Sequence, residues 1–259
     1  MHELLENMCQ KCTNTPLIGE QAPEFGAMTT HGYIEFPKDY RGKWVVLFSH
    51  PGDFTPVCTT EFMTFQSMID EFKAINTELI GLSVDSVASH LGWIQSIKND
   101  VSFQGWEGME ITFPIIADNG MRIAGLYGMI HPNVSDTSTI RSVFIIDPRG
   151  IIRTTLYYPV SVGRNITEIK RIIIALQTGA AFHVVTPAEW IPGDNVISIP
   201  PRTTFEIKNK AKNKTKDKNV WFLSFKHISP EMILEKITNQ KLLSKPSSKN
   251  KDSNKRKKK

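Results

Sequence analysis

The chain has 259 residues, with 40% apolar and 22% charged side chains, which suits a globular protein and excludes a mostly disordered one. Its net charge of +5 is unevenly divided. Residues 1–205 carry 14 basic and 21 acidic groups, a net of −7, whereas residues 206–259 carry 17 and 5, a net of +12. Length predicts one large domain or one domain with an appendage, and no internal repeat breaks it up.

The N-terminus, MHELLENMCQKC, places Glu3 and Glu6 before any Lys or Arg and lacks an apolar h-region, so cytoplasmic residence is expected. No apolar stretch reaches the ~18–20 residues of a membrane span. Trp44–Phe48 is a continuous apolar run that predicts a buried strand. A turn-rich loop, 49–57, follows. Thr59 or Thr60 then opens a helix whose Phe62, Phe65, Ile69 and Phe72 share one face. Glu78–Val84 reads as a second buried strand, and Val87–Asn99 as an amphipathic helix with Leu91, Ile94 and Ile97 on its apolar stripe. A short strand at 113–116 and a short helix at 121–126 come next. Arg141–Asp147 and Ile151–Tyr158 flank Pro148-Arg149-Gly150 as a hairpin. Thr167–Gln177 forms the last helix, with Asn165 as N-cap and Gly179 just beyond its end.

Strands alternating with helices imply a three-layer α/β domain, and the final hairpin makes its sheet mixed. The domain boundaries expected are a flexible segment at 1–15, the α/β domain at 16–178, an extended arm at 179–205 and a Lys-rich, largely disordered tail at 206–259. Pro187, Pro192, Pro200 and Pro201 punctuate the arm, whose anchors Trp190 and Ile197 are expected to bury against a second subunit. The tail contains a short apolar cluster within 220–240.

Chemistry concentrates in Pro51-Gly52-Asp53-Phe54-Thr55-Pro56-Val57-Cys58. It joins a buried strand to a helix N-terminus. A cysteine in the first turn of a helix faces unpaired N–H groups and the positive end of the macrodipole. Both favour the thiolate, which is the nucleophilic form. Thr55 brings a hydroxyl toward the sulfur from the same loop.

Pro51, Thr55 and Cys58 form a Pro-x-x-x-Thr-x-x-Cys pattern that resembles the peroxiredoxin signature. The longer FSHPGDFTPVCTTEF is similar to the one-cysteine, six-type subfamily of the AhpC/TSA family, as found in archaea and bacteria. RSVFIIDPRGIIRTTLYYP, SVGRNITEIKRIIIALQ and TPAEWIPGD add matches, so the resemblance spans roughly residues 15–205. It implies a thioredoxin-like fold with a mixed central sheet flanked by helices and a C-terminal dimerisation arm. It implies a thiol peroxidase that reduces hydrogen peroxide and organic hydroperoxides through a cysteine sulfenic acid, with no cofactor and no metal. Cys58 would be the peroxidatic residue, and Arg141 would hold the thiolate and a peroxide oxygen. Thr55 and His50 would contact substrate, and Pro51 would shield the sulfur. Glu61 and Arg164 would orient Arg141 from behind. The partners implied are an external thiol such as thioredoxin or glutathione and a second copy of the chain, in a dimer that closes into a decamer of five dimers.

The chain departs from two-cysteine relatives because no cysteine follows Cys58. Cys9 and Cys12 form a C-x-x-C in a polar segment, open to an incidental, a resolving or a metal-binding reading. The lipase-like G-x-S-x-G of the animal enzymes is missing, with Lys43 where its serine would stand. Two other function classes compete. One is a thiol–disulfide oxidoreductase acting through Cys9 and Cys12. The other is weak, sequence-independent binding of nucleic acid or an anionic surface by the tail.

Overall fold

Alternation within the strands decides which side chains face which layer. In β3 (Trp44–Ser49), Val46 and Phe48 point to one side of the sheet, and Val45 and Leu47 to the other. All six residues of β3 are buried, as the continuous apolar run requires of a strand covered on both faces. The structure is a computed structural model that describes residues 15–207, 220 and 222–243, the last of these without side chains beyond 238.

The first strands are a hairpin of β1 (Phe25–Thr29) and β2 (Gly32–Phe36), which the sequence pattern does not announce. After β3 come α1 (Pro56–Ser67), α2 (Ile69–Ala74), β4 (Thr77–Ser83), α3 (Val87–Asp100), β5 (Ile115–Ala117) and α4 (Arg122–Leu126). Then follow β6 (Arg141–Ile146), β7 (Ile152–Tyr158) and α5 (Ile166–Phe182). Strands β8 (Val184–Val185), β9 (Val196–Ser198) and β10 (Phe225–Lys226) and helix α6 (Pro230–Leu243) complete the described chain. Seven strands form the main sheet in the order β2-β1-β5-β4-β3-β6-β7. Strands β3, β4 and β5 run parallel and the rest pair antiparallel, so the sheet is mixed as expected.

Helices α1, α2, α3 and α5 pack on one face through Phe62, Phe65, Phe72, Trp93, Ile97, Ile169 and Ile173. Ile123 and Ala124 of α4, with Tyr127 and Met129, cover the other face. Three helix readings need correction. The run from Thr59 to Phe72 is two helices that break at Met68, and the first opens at Pro56. Pro is suited to that first position, where its missing N–H costs nothing. In α3 it is His90, Trp93, Ile94 and Ile97 that are buried, while Leu91 is 48% exposed. Helix α5 starts at the Asn165 cap, whose side chain accepts from Glu168 N at 3.0 Å, but it runs through Gly179 to Phe182. Gly179 is there for close packing: a Cβ would lie 3.2 Å from the Val184 carbonyl as β8 returns along the helix.

The arm and tail differ most from expectation. Trp190 is buried in the chain's own core beside α5, its carbonyl accepting from Arg171 Nη1 at 2.9 Å and its indole donating to Asp194 O at 3.1 Å. It is therefore not an anchor awaiting a second subunit. Within the region assigned to a disordered tail, β10 pairs with β9, and α6 packs on α5. Ile228, Ile233 and Ile237 are 1–2% exposed in the same core. Hydrophobic burial thus overrides the high mean charge of the segment. The Lys-rich runs 208–219 and 244–259 and the segment 1–14 lie outside the described residues. Among the described residues no helix is long and apolar enough to cross a membrane.

Candidate active site

Because α1 opens at Pro56 with Thr55 as its N-cap, Cys58 falls in the first turn, where the unpaired backbone donors lie. Its side chain is fully buried between α1 and the β3–β6 part of the sheet. Thr55 holds an extended conformation (φ −97°, ψ 143°) that turns the loop into the helix. Its hydroxyl donates to Gly52 O at 2.8 Å. The hydroxyl proton is thus engaged and the oxygen lone pairs are left to accept. Phe54, beside it, has a φ of 57°, a left-handed conformation that costs energy in a bulky residue and persists because the surrounding bonds impose it.

Arg141, the first residue of β6, reaches the sulfur across the sheet. Its Nη1 donates to Cys58 Sγ at 3.2 Å and to Glu61 Oε2 at 2.7 Å, and its Nε donates to Val160 O at 3.0 Å. Glu61 lies one helical turn beyond Cys58 on α1. Behind it Arg164 donates from Nε and from its backbone N–H to Glu61 Oε1, each at 2.9 Å, and from Nη2 to Oε2 at 2.7 Å. Arg164 Nη1 is held by the carbonyls of Ser49 and Ser142, and the guanidinium lies 5.1 Å from the Phe48 ring centroid. Four donors therefore satisfy one buried carboxylate. Two guanidiniums face one carboxylate, which leaves an excess of positive charge beside Sγ.

A second buried network flanks the loop. His50 Nε2 lies 3.0 Å from Asp53 Oδ1, and His90 Nδ1 lies 2.8 Å from Asp53 Oδ2. His90 Nε2 faces the Ile116 carbonyl at 3.2 Å. The His50 ring stacks on Trp93, and its Nδ1 is buried with no hydrogen-bond partner. Burial lowers the pKa of His50, and its hydrogen bond to Asp53 opposes this without cancelling it. Burial works against the Asp53 carboxylate too, but hydrogen bonds from His50 and His90 outweigh it and hold the pKa below the usual carboxylate range. Its contribution to stability is therefore present above the ordinary value of 3.8 and is lost as pH falls through the lowered one.

Residues 18–155 match the AhpC/TSA family, and residues 175–214 match the C-terminal domain of 1-Cys peroxiredoxin. A peroxiredoxin of Methanosarcina mazei is 54% identical over 213 residues, 82% of this chain and 97% of that one. The chain belongs to the AhpC/TSA family. Thiol peroxidase activity, the antioxidant reaction of peroxiredoxins, comes with that membership. Its fold is similar to that of a yeast mitochondrial 1-Cys peroxiredoxin, at a TM-score of 0.71 and 42% identity over 82% of this chain and 99% of that one. A peroxiredoxin 6 of Arenicola marina, solved as a Cys-to-Ser mutant, matches at a TM-score of 0.70 and 36% identity over 82% and 97% of the two chains.

Within this peroxiredoxin the structure brings Cys58, Arg141, Glu61 and Arg164 into one contact network and places Thr55 and Pro51 on the adjoining loop. His50 is given to Asp53 rather than to the sulfur. Cys9 and Cys12 lie outside the described residues. Asp53 and His90 were missed. The available signal was the spacing of His90 with Ile94 and Ile97, the buried face of α3. His50, Asp53 and His90 bring three potential metal-ligand atoms within 4.8 Å of one another. Hydrogen bonds among these residues already engage both carboxylate oxygens, so a metal would have to displace them.

The buried carboxylate carries a testable energetic consequence. Glu61→Gln leaves two buried guanidiniums facing a neutral amide whose NH2 group opposes their donors. Breaking a buried pair in this way costs about 3–5 kcal/mol. Urea denaturation is expected to show a loss of that size, and a change under 1 kcal/mol would contradict the reading of Glu61 as the centre of the network.

Proposed function

We propose that Cys58 is the peroxidatic cysteine of a one-cysteine thiol peroxidase, with Arg141 as its electrostatic partner. The observation that carries this is the Arg141 Nη1 donor 3.2 Å from a buried Sγ, held there by Glu61 and Arg164. The Cys58 thiolate attacks the terminal oxygen of a hydroperoxide, forming an S–O bond as the O–O bond breaks. The departing oxygen takes a proton and leaves as water or an alcohol, and Cys58 becomes a sulfenic acid. Negative charge grows on the departing oxygen, so a guanidinium already aimed at the sulfur stabilises the transition state without reorganising. Thr55 accepts the hydroperoxide O–H, because its own proton is committed to Gly52 O.

Recovery needs two thiols. The first condenses with the sulfenic acid, forming a mixed disulfide and releasing water. The second displaces Cys58 and leaves the reductant as a disulfide. No cysteine follows Cys58, so a C-terminal resolving cysteine is missing from the sequence, and we assign these thiols to an external reductant, with Cys9 and Cys12 as the alternative. The yeast relative's structure concerns thiol resolution via glutathione/thioredoxin systems, which supports a reductant of that class here. We place the enzyme in the cytoplasm, as a homodimer that assembles into a decamer.

Intact mass after one equivalent of hydrogen peroxide tests this reading. A chain heavier by one oxygen on Cys58 supports it. A chain lighter by two hydrogens, with Cys58 joined to Cys9 or Cys12, replaces external recycling by an internal disulfide. Arg141→Lys keeps the charge but loses the planar fork that serves sulfur, Glu61 and Val160 at once. Its rate with peroxide is expected to fall by about 10²–10³, the scale of losing one preorganised oxyanion donor. Wild-type kinetics in that variant would remove Arg141 from the mechanism.

A further inference from the structure

The loop that carries Pro51 and Thr55 is fastened by a buried His–Asp–His network to which the reaction just described assigns no role. Asp53 sits at its centre with its side chain 1% exposed. Its backbone N–H donates to Asp85 Oδ2 at 2.9 Å, and Asp85 is held in turn by Ser83 Oγ at 2.8 Å. Its carboxylate receives His50 from the loop and His90 from α3. The titratable groups on this carboxylate are therefore His50 and His90, with Asp85 on the Asp53 backbone N–H and Arg164 acting on His50 from behind.

Hydrogen-bond logic fixes the protons. His90 Nε2 faces a carbonyl, which only accepts, so that nitrogen carries a hydrogen. His90 Nδ1 faces a carboxylate 2.8 and 3.0 Å from its two oxygens, so it carries one as well. His50 Nε2 also faces the carboxylate and donates to it, which leaves the buried Nδ1 as a bare lone pair. His90 thus gives the buried Asp53 carboxylate a second hydrogen-bond partner, and β5 holds His90 in place through the Ile116 carbonyl.

We propose that His90 is a positioning residue for peroxide reduction, acting through Asp53 to hold the Pro51–Thr55 loop over Cys58 and to keep His50 in its Nε2–H form. The proposal rests on the reading of Cys58 as the peroxidatic residue. Without the His90 donor, Asp53 keeps one partner in a site closed to water. The loop then relaxes, Phe54 leaves its left-handed conformation and Thr55 moves away from the approach to the sulfur.

Three substitutions separate this from a general packing role. The amide nitrogen of asparagine reaches the place of Nδ1, and that of glutamine reaches the place of Nε2. His90→Asn therefore keeps a donor to Asp53, His90→Gln keeps one to Ile116 O, and His90→Leu keeps neither. The rate constant for Cys58 oxidation by hydrogen peroxide is measured for each, beside its melting temperature. The Gln and Leu variants are expected to lose roughly tenfold to hundredfold, the scale of a misplaced reacting group, with Asn much nearer wild type. Asp53→Asn should lose a similar factor, and adding His90→Leu to it should cost little more. If Leu does not fold, the order of Asn against Gln decides. Equal rates for Asn and Gln, or lowered melting temperatures with wild-type rates, would overturn the proposal. Failure of the functional reading shows differently, as no oxidation of Cys58 in the unaltered chain.

Discussion

Cys58→Ser is expected to abolish peroxide reduction while leaving the fold intact. Serine replaces sulfur by a smaller oxygen in a site already lined by a donor, since Arg141 Nη1 lies 3.2 Å from Sγ. The new hydroxyl is therefore hydrogen-bonded on burial, and stability should change by only about 1–2 kcal/mol. Reactivity has no such compensation. A serine hydroxyl does not ionise near neutral pH, so the helix N-terminus and Arg141 have no anion to hold. No sulfenic acid can form at an oxygen. Peroxide consumption with a dithiol reductant should fall to background, and circular dichroism should match that of the unaltered chain. Turnover above a few per cent of wild type would mean that chemistry runs elsewhere, with Cys9 and Cys12 the first place to look.

Strand β3 and the Cys58 turn were legible because each is local. An unbroken apolar run followed by turn formers and a helix start needs no knowledge of the rest of the chain. Arg141 is different. It lies 83 positions from Cys58, and Arg164 lies 103 from Glu61. Periodicity cannot join such residues, and family resemblance did. Asp53 and His90 fell between the two sources of information. Asp53 looked like a turn residue, and His90 was hidden on a helix whose apolar stripe was drawn one position off, through Leu91. The β1–β2 hairpin escaped because Phe25–Thr29 contains Gly26 and an exposed Met28, and its turn residues Thr30 and His31 are not typical hairpin formers. The tail was misjudged for a reason of scale. Composition averaged over 206–259 is dominated by lysine, whereas the core needs only Ile228, Ile233 and Ile237 placed at helical and near-helical spacing.

Truncating the tail should therefore destabilise the body. The match to the 1-Cys C-terminal domain ends at residue 214, so β10 and α6 lie beyond it. They are nonetheless joined to the body: β10 forms the third strand beside β9, and α6 lies along α5. Removing residues 220–259 uncovers the core around Trp190, Val184 and Val196 and discards three isoleucines buried within 1–2% exposure. Each such side chain is worth about 1.5–3 kcal/mol gross. Ordering β10 and α6 offsets much of this, leaving a net effect of a few kcal/mol. At roughly 2–4 °C per kcal/mol, the melting temperature should fall by about 5–10 °C. Trp190 fluorescence should shift to the red, and binding of an apolar dye should rise. The Cys58 site is built from β3, α1, β6 and Arg164, none of which the truncation removes. Oxidation of Cys58 should therefore persist at temperatures well below the new transition. A truncated chain that melts with the full one and binds no more dye would show that β10 and α6 add nothing to the core. One that cannot be oxidised while still folded would show instead that the tail reaches into the catalytic assembly.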